Sequence, residues 1–306
     1  MDSVSHLIRL ARLEARLDRH CLLGGSTRMD VPAHEERQAP FHVLLEGTCT
    51  LQLRDVVLEV NAGDVVLIPS GMPHRIVTSG NATVRGVSET IGDAFITTRS
   101  EGGRSAVIDL FCGHYTFGAG AGAMLFRSIP DPVLVSFGQS AETDSVLRML
   151  SALMRGEAQR EGDGTAAILS ALCTVLLAMV LRTSQSVHNG MALWTAVGDE
   201  RIARAVEQMM AEPGRDWSIE RMSRDAAMSR ATFLRHFSRT TGMTVGKFLS
   251  QVRLMTAAEL LSTTDATVAS VAAQVGYRSE SAFSRSFRSA IGTTPARFRR
   301  SSVRAA

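Results

Sequence analysis

Residues 218–248 laid over residues 267–298 fall into register, so this chain carries a duplication that few folds can accommodate. Ile219, Met222, Ala226 and Met228 match Val268, Val271, Val275 and Tyr277 at an offset of 49. After one inserted residue, Phe233, Arg235, Phe237, Gly242, Thr244 and Phe248 match Phe283, Arg285, Phe287, Gly292, Thr294 and Phe298 at an offset of 50. Each copy reads as a short helix, a turn of a few residues and a second helix opened by serine, which is the helix-turn-helix plan.

In each second helix the phenylalanines, Phe233 with Phe237 and Phe283 with Phe287, lie four residues apart and must face a core. The opposite face is polar, with Arg230, Thr232 and Arg235 in the first copy and Ser279, Ser281 and Arg285 in the second. An arginine so presented can make the bidentate contact to guanine O6 and N7 in a major groove. A solvated basic face is the plain alternative for one such helix, but two copies in register count against it. Charge divides the chain in the same way. Residues 198–306 hold 16 arginines and Lys247 against 10 carboxylates, a net of +7, while the remainder holds 16 basic and 20 acidic residues, a net of −4. The basic part has the balance expected of a polyanion-binding domain.

Around the repeat the helical signals are consistent. "DERIARAVEQMMAEPG" carries Ile202, Val206 and Met209 at helical spacing and stops at Pro213-Gly214, Ser218 opens the next helix and Ser229 the one after. The two copies, "SIERMSRDAAMSRATFLRHFSRTTGMTVGKFLSQVRLMTAAELL" and "TVASVAAQVGYRSESAFSRSFRSAIGTTPARFRR", resemble the paired helix-turn-helix domain of AraC-type transcription regulators. The likeness includes the Gly-Tyr turn, the Phe-x-x-x-Phe recognition helix and the closing Gly-x-x-Pro-x-x-Phe-Arg, and it covers residues 199–300. It implies that Ala231, Leu234 and Arg235 in one helix, and Glu280, Ser281 and Arg285 in the other, face base edges of adjacent major grooves of double-stranded promoter DNA. Arg230, Arg239, Lys247 and Arg288 are then expected on phosphates. Ala231 and Leu234 depart from the polar or large side chains often met at those positions, and suit thymine methyls or a first helix that reads fewer bases.

The acidic part changes period. From about 41 to 137, short β-type runs are punctuated by turns: "FHVLLEG", "TCTLQLRD", "VVLEVNAGD", "VVLIPSGMPH", "RIVTSG", "ATVRGVSET" and "VIDLFCGHYTFGAG", with "TIGDAFITTRSEGGRSA" as a loop between the last two. The pattern suits an antiparallel sandwich or small barrel. From 141 to 184 it becomes helical, with Leu147, Leu150, Leu153 and Met154 as an apolar stripe, and "SQSVHNGMALWTAVGD" reads as a linker. The leucines of "MDSVSHLIRLARLEARLDRH" fit a short amphipathic helix with no secretory signal in it. "AAILSALCTVLLAMVL" at 166–181 falls short of the roughly 20 residues a membrane span needs, and reads as a buried helix.

Gly63, Pro69, Ser70, Gly71 and His74 are spaced as in the second cupin motif, and "FHVLLEGTCTLQL" resembles the strand before it, so residues 40–137 resemble a cupin barrel. "DLFCGHYTF" matches a Cys-Gly strand of the AraC-type subgroup with such a sensor. The upstream H-x-H-x(3,4)-E pattern of enzymatic cupins is missing, and the position four residues after the motif histidine is Thr78. His42 and His74 are either two ligands of a metal, with His34, Glu36 or His114 as a third, or hydrogen-bonded core histidines. No cofactor is otherwise expected. Cys49 and Cys173 read as core. Cys21 follows His20 and Cys112 lies two residues before His114, so a lowered thiol pKa and a redox role are open to that pair.

The expectation is therefore an α+β protein, with a cupin-like sensor over 1–137, a helical connector, possible dimerisation region and linker over 138–197, and an all-α domain with two helix-turn-helix motifs over 198–306. It describes a cytoplasmic, non-enzymatic regulator that takes a small-molecule or redox effector, acts as a homodimer, contacts RNA polymerase if it activates, and has no membrane partner. Two rivals remain. One is a metal-dependent cupin enzyme tethered to DNA. The other is a repair regulator with a methyl-acceptor cysteine, which needs a four-cysteine cluster near the N-terminus where this chain has only Cys21 and Cys49.

Overall fold

The computed structural model describes residues 3–11, 13–80, 86–101, 107–118, 121–127, 129–137, 141–160, 162–187, 200–241 and 243–303. The chain forms two compact units: Met1–Leu13, Phe117–Ile129 and Gln185–Ala306 make one, Glu14–Thr116 and Pro130–Ser184 the other.

The second unit is the β-rich one. Its strands are β1 (Glu14–Leu23), β2 (Arg28–Val31), β3 (Gln38–Glu46), β4 (Thr48–Leu53), β5 (Val56–Asn61), β6 (Asp64–Leu67), β7 (His74–Val77), β8 (Gly86–Ile91), β9 (Ile96–Glu101), β10 (Ile108–Thr116) and β11 (Val133–Ser136). They form a seven-stranded sheet in the order β11-β6-β3-β10-β1-β9-β8 and a four-stranded sheet in the order β2-β7-β4-β5. Side chains at alternate positions meet between the sheets: Cys21 and Leu23 from β1, Leu44 from β3, Cys49, Leu51 and Leu53 from β4, and Leu110 and Cys112 from β10. This is the cupin-type architecture expected of this part.

Two strands depart from expectation. The N-terminal stretch is a helix only over α1 (Ser3–Ala11), and Glu14–Leu23 is β1, paired with β10 on one side and β9 on the other. Ala15, Leu17, Cys21 and Leu23 are all buried at alternate positions, but Arg19 interrupts the apolar series and hides the strand, and the register shift between Leu17 and Arg19 turns the first two to one face of the sheet and the last two to the other. The expected loop "TIGDAFITTRSEGGRSA" contains β9, which runs parallel to β1 at Arg19–Leu22. Residues 82–85 of "ATVRGVSET" and 102–106 of that loop lie outside the described residues, as do 188–199 of the expected linker.

Two helices cover the outer face of the larger sheet. Arg155 of α3 (Ala141–Arg160) pairs with Asp109 at 2.9 Å, and the Tyr115 hydroxyl donates to the Cys173 carbonyl of α4 (Thr165–Val187) at 2.8 Å. Of the apolar stripe expected on α3, Leu150 and Met154 are buried while Leu153 is 55% exposed. The Leu147 side chain lies outside the described residues. The apolar run expected to fall short of a span sits in a longer helix, and Thr165–Thr183 is by length and composition alone enough to cross a membrane. One face of that helix is packed, with Leu169, Cys173, Leu176, Leu177, Val180 and Leu181 buried.

The other unit is helical. It contains α1, α2 (Ala121–Arg127), α5 (Glu200–Ala211), α6 (Ile219–Asp225), α7 (Arg230–Thr241), α8 (Val245–Thr263), α9 (Val268–Gln274), α10 (Glu280–Ile291) and α11 (Pro295–Val303). The duplication repeats down to single hydrogen bonds. Ser218 and Thr267 cap α6 and α9 by accepting from the amides three residues on, and Ser229 and Ser279 do the same for Thr232 and Ala282. Phe233, Phe237 and Phe248 form one aromatic cluster, and Phe283, Phe287 and Phe298 form the equivalent one.

Each turn needs one residue in the left-handed region, where the amides of Met228 and Tyr277 reach back to the carbonyls of Ser223 and Ala272, both at 2.9 Å. The second copy supplies Gly276 at φ 83°, while the first forces Ala227 to φ 53°. A side chain there costs roughly 1–2 kcal/mol, partly offset by the freedom glycine loses on folding. Ala227→Gly is therefore expected to stabilise this unit by about 0.5–1 kcal/mol. Gly276→Ala is expected to cost at least about 1 kcal/mol, because its Cβ would fall 2.9 Å from the Gly214 carbonyl oxygen. Denaturant titration followed by tryptophan fluorescence measures both, since Trp194 and Trp217 belong to this unit alone.

Candidate functional site

The helical unit presents two equivalent faces. Along α7 and α10 burial follows one pattern from Arg230 to Thr240 and from Glu280 to Ala290, with the phenylalanines inward and the polar residues outward. Ala231, Arg235 and Arg239 are exposed on α7 and Leu234 is half-buried, while Glu280, Ser281, Arg285 and Arg288 are exposed on α10. Lys247, in the first turn of α8, is exposed as well. Among the described residues the side chains of Arg235, Arg239, Lys247, Arg285 and Arg288 make no hydrogen bond or ion pair, so their charge is available to a ligand. Arg230 differs. Its guanidinium lies 2.9 Å from Glu220 of α6, an exposed pair that a phosphate would have to displace.

The β-rich unit holds a different chemistry between its sheets. Strand β10 lies between β3 and β1, with Cys112 directly opposite His42 on one side and opposite Arg19 on the other. Cys21, two residues along β1 from Arg19, is the diagonal neighbour of Cys112 and lines the same interior between the sheets. His42 Nδ1 is 3.1 Å from Cys112 Sγ, and His42 Nε2 is 2.7 Å from His74 Nε2. His74 Nδ1 is 3.0 Å from the Met72 carbonyl, on the turn that brings the chain into β7. Gly71 opens that turn at φ 67°, where a Cβ would meet the Gln38 carbonyl at 2.9 Å, which explains the glycine of the sequence motif.

All four side chains are buried. Burial, then the charges of His74 and His34, hold His42 well below the ordinary imidazole value; burial also lowers His74. The neighbouring Cys112 thiol, with the Arg19 guanidinium and the Thr98 hydroxyl, lowers the Cys21 thiol against the opposing effect of burial. Cys21 and burial push Cys112 well above the ordinary thiol value. Cys49 and Cys173 are buried and pushed up to about 12, as inert core thiols are.

The histidine beside the thiols is not the one their neighbours in sequence suggested. His20 faces away and pairs with Asp109 at 2.9 Å, and His114 pairs with Asp18 at 2.6 Å. His42 takes that place because it sits opposite Cys112 in the ladder, a relation visible only once β3 and β10 are known to pair. Sequence reasoning also missed Asp18 and Met29, which lies 3.8 Å from Cys21. Of the proposed third metal ligands, Glu36 is exposed and the His34 and His114 rings stand 5.6 Å apart. His42 and His74 meet Nε2 to Nε2 at 2.7 Å, a hydrogen-bonding contact that occupies the lone pair a shared metal would need. Among the described residues no group of three or more His, Cys, Asp or Glu is arranged to hold a metal, so this geometry does not fit one. Thr78, where enzymatic cupins often carry asparagine, is buried, accepting from the Thr27 amide at 2.9 Å and donating to the Gly25 carbonyl at 2.7 Å.

Residues 2–185 match the family model described as "Cupin", and residues 222–301 match the one described as "Helix-turn-helix domain". An uncharacterized HTH-type transcriptional regulator of Haemophilus influenzae is 29% identical over 98% of this chain and 99% of its own length. The RCS-specific HTH-type transcriptional activator RclR of Escherichia coli is 25% identical over 98% of this chain and 97% of its own. Among solved structures, the DNA-binding domain of AdpA in complex with a target DNA is 33% identical, with 33% of this chain and 91% of that one covered at a TM-score of 0.32.

If Arg285 reads a base, Arg285→Ala weakens binding to the cognate site by roughly 1–3 kcal/mol and relaxes preference at one base pair. Arg288→Ala, on a phosphate, weakens all sequences alike and reduces the salt slope by about one. Fluorescence anisotropy on cognate and scrambled duplexes at several salt concentrations separates the two, and equal loss on both duplexes would assign Arg285 to phosphate.

Proposed function

Because this chain belongs to the AraC-type DNA-binding transcription regulators, with a cupin domain ahead of its helix-turn-helix domain, we propose that its signal is a two-electron oxidant and that the sensor is the thiol pair Cys21 and Cys112. In this reading the protein works in the cytoplasm, is not an enzyme, and binds double-stranded promoter DNA with Arg235, Arg285, Glu280 and Ser281 at base edges and Arg239, Lys247 and Arg288 at phosphates. Ala231 and Leu234 suit thymine methyls. If it activates, RNA polymerase is a further partner.

The observation that carries the sensor assignment is the register that sets two buried thiols, Cys21 and Cys112, diagonally across adjacent strands and on the same interior face. In this reading Cys21, next to the Arg19 guanidinium, is the attacking sulfur and Cys112, against His42, the resolving one. The register supplies a switch. Cys21 and Cys112 are diagonal neighbours across the ladder. Such residues stand roughly 7–8 Å apart at Cα, and an unstrained disulfide spans about 4.4–6.8 Å. Closing the bond must draw β1 and β10 together.

A second copy of the chain is the partner best suited to the exposed apolar stripe of α3. Val146, Met149 and Leu153 recur at intervals of three and four and are 39%, 61% and 55% exposed.

Two outcomes are expected. Hydrogen peroxide added to the reduced protein forms a Cys21–Cys112 disulfide, read by peptide mass after alkylation, and changes expression of a reporter under the target promoter. Cys21→Ala and Cys112→Ala abolish both responses, and an unchanged reporter response in either variant removes the thiol pair as sensor. Met149→Glu with Leu153→Glu converts a dimer in sedimentation to a monomer while single-site DNA affinity is kept. A dimer that survives the double substitution takes the stripe out of the interface.

A further inference from the structure

The redox reading leaves unexplained why two histidines are buried end to end behind the resolving thiol. Their protons are fixed by hydrogen-bond bookkeeping. The Met72 carbonyl only accepts, so the proton between it and His74 sits on His74 Nδ1. A neutral His74 then presents a bare Nε2, which must accept from His42 Nε2–H at 2.7 Å. A neutral His42 with its proton on Nε2 has a bare Nδ1. That lone pair points at Cys112 Sγ, 3.1 Å away. Burial of both rings favours these neutral forms. No other assignment of neutral histidines satisfies the three contacts.

Resting on the redox reading above, we propose that His42 is the base that takes the proton from Cys112 as it closes the disulfide onto oxidised Cys21, and that His74, held by the Met72 carbonyl, is the positioning residue that fixes His42 in the tautomer with Nδ1 bare. The Cys112 S–H points at His42 Nδ1, 3.1 Å away, and Cys21 is its diagonal neighbour across the ladder. Once Cys21 is oxidised, the imidazole is in place to receive the Cys112 proton at the step that needs a base.

The chemistry balances with a hydroperoxide as oxidant. Cys21 sulfur attacks the terminal oxygen, an S–O bond forms and the O–O bond breaks. The alkoxide (hydroxide, for hydrogen peroxide) leaves with the proton Cys21 has lost, so the sulfur is oxidised by two electrons and the peroxide reduced by two. Cys112 sulfur then attacks Cys21 sulfur, forming S–S and breaking S–O. Its proton passes to His42 Nδ1 and on to the departing hydroxide as water, which restores His42. Among the described residues the groups facing His42 are Cys112 on β10, His74 on β7 and His34 on the segment between β2 and β3; Cys112 also feels Cys49 and Asp18, but the Asp18 carboxylate is paired with His114 at 2.6 Å.

The experiment uses the full-length reduced protein, hydrogen peroxide and two readouts, dimedone trapping of Cys21 sulfenic acid and the rate of disulfide closure. His42→Asn keeps a polar atom near the Nδ1 position without its basicity. It is expected to accumulate trappable sulfenic acid and to close about tenfold or more slowly, with the initial oxidation of Cys21 unchanged. His74→Gln is expected to slow closure less, since His42 remains but loses its fixed tautomer. A substitution at a buried histidine can unfold the barrel, so the unaltered protein supplies an independent measurement. With His42 as base, the closure rate holds from pH 8 down to about 6.5 or below, because an imidazole depressed by burial stays neutral there. Closure limited by spontaneous ionisation of Cys112 instead falls about tenfold per pH unit over that whole range. Thiol-like pH dependence, or closure in a folded His42→Asn protein at the unaltered rate, overturns the assignment of His42 and leaves the redox reading standing. Absence of any Cys21–Cys112 disulfide in the unaltered protein overturns the redox reading itself, and the role of His42 with it.

Discussion

The antiparallel pairing of β10 with β3 on one side and β1 on the other is the contact on which the sensor unit depends. It sets Cys112 across from His42 and diagonal to Cys21, and it lets the interior side chains of the larger sheet meet those of the smaller one. A slip of one residue in either ladder would turn Cys112 to the opposite face, where the Tyr115 hydroxyl meets the Cys173 carbonyl of α4. The polar groups between the sheets would then be stranded, and a buried donor or acceptor without a partner costs roughly 1–3 kcal/mol. The row from Cys112 through His42 and His74 to the Met72 carbonyl therefore also holds the ladders in register, because each of its members has lost water and must be satisfied by the next.

In the helical unit the equivalent constraint is the phenylalanine pair four residues apart. Once Phe233 and Phe237, or Phe283 and Phe287, are fully buried, the rotation of the helix about its axis is fixed. Which side chains face outward follows without further freedom. The two copies share this framework and differ in what they display. One carries Ala231 and Leu234 with Arg230 tied to Glu220; the other carries Glu280, Ser281 and an unpaired Arg285. The duplication supplies the geometry, and divergence on the outer faces supplies two different readers.

The helical unit was legible in the sequence almost residue by residue, because a helix depends on neighbours within four positions and the repeat checks each assignment against its copy. Caps at Ser218, Ser229 and Ser279, and the inward phenylalanines, all followed from local spacing. The barrel was legible only as a class. Most of its strands could be read from alternation, but β1 was concealed by Arg19 within its apolar series and β9 by its polar sequence, "ITTRSE". The site was hidden for the same reason. His42, His74, Cys21 and Cys112 each stood out as candidates, yet the histidines next to the cysteines in sequence, His20 and His114, turn to carboxylates, and the one that matters is 70 residues from Cys112. Long-range pairing decides such neighbours, and no local period encodes it.

How a change between two sulfurs is felt elsewhere follows from where the strands end. Glu14, the first residue of β1, lies opposite Thr116, the last of β10, and the chain on either side of that pair, Met1–Leu13 and Phe117–Ile129, belongs to the unit that carries the helix-turn-helix motifs. The strands that hold the two cysteines are thus covalently continuous with α1 and α2. In the proposed redox reading, a disulfide that draws β1 toward β10 loads the same two strands that lead into those helices. Coupling between sites in regulatory proteins is worth about 1–3 kcal/mol, and bond strain of a few kcal/mol is ordinary for a disulfide closed outside its preferred geometry. The energy at hand is therefore of the size required, and the covalent path is short.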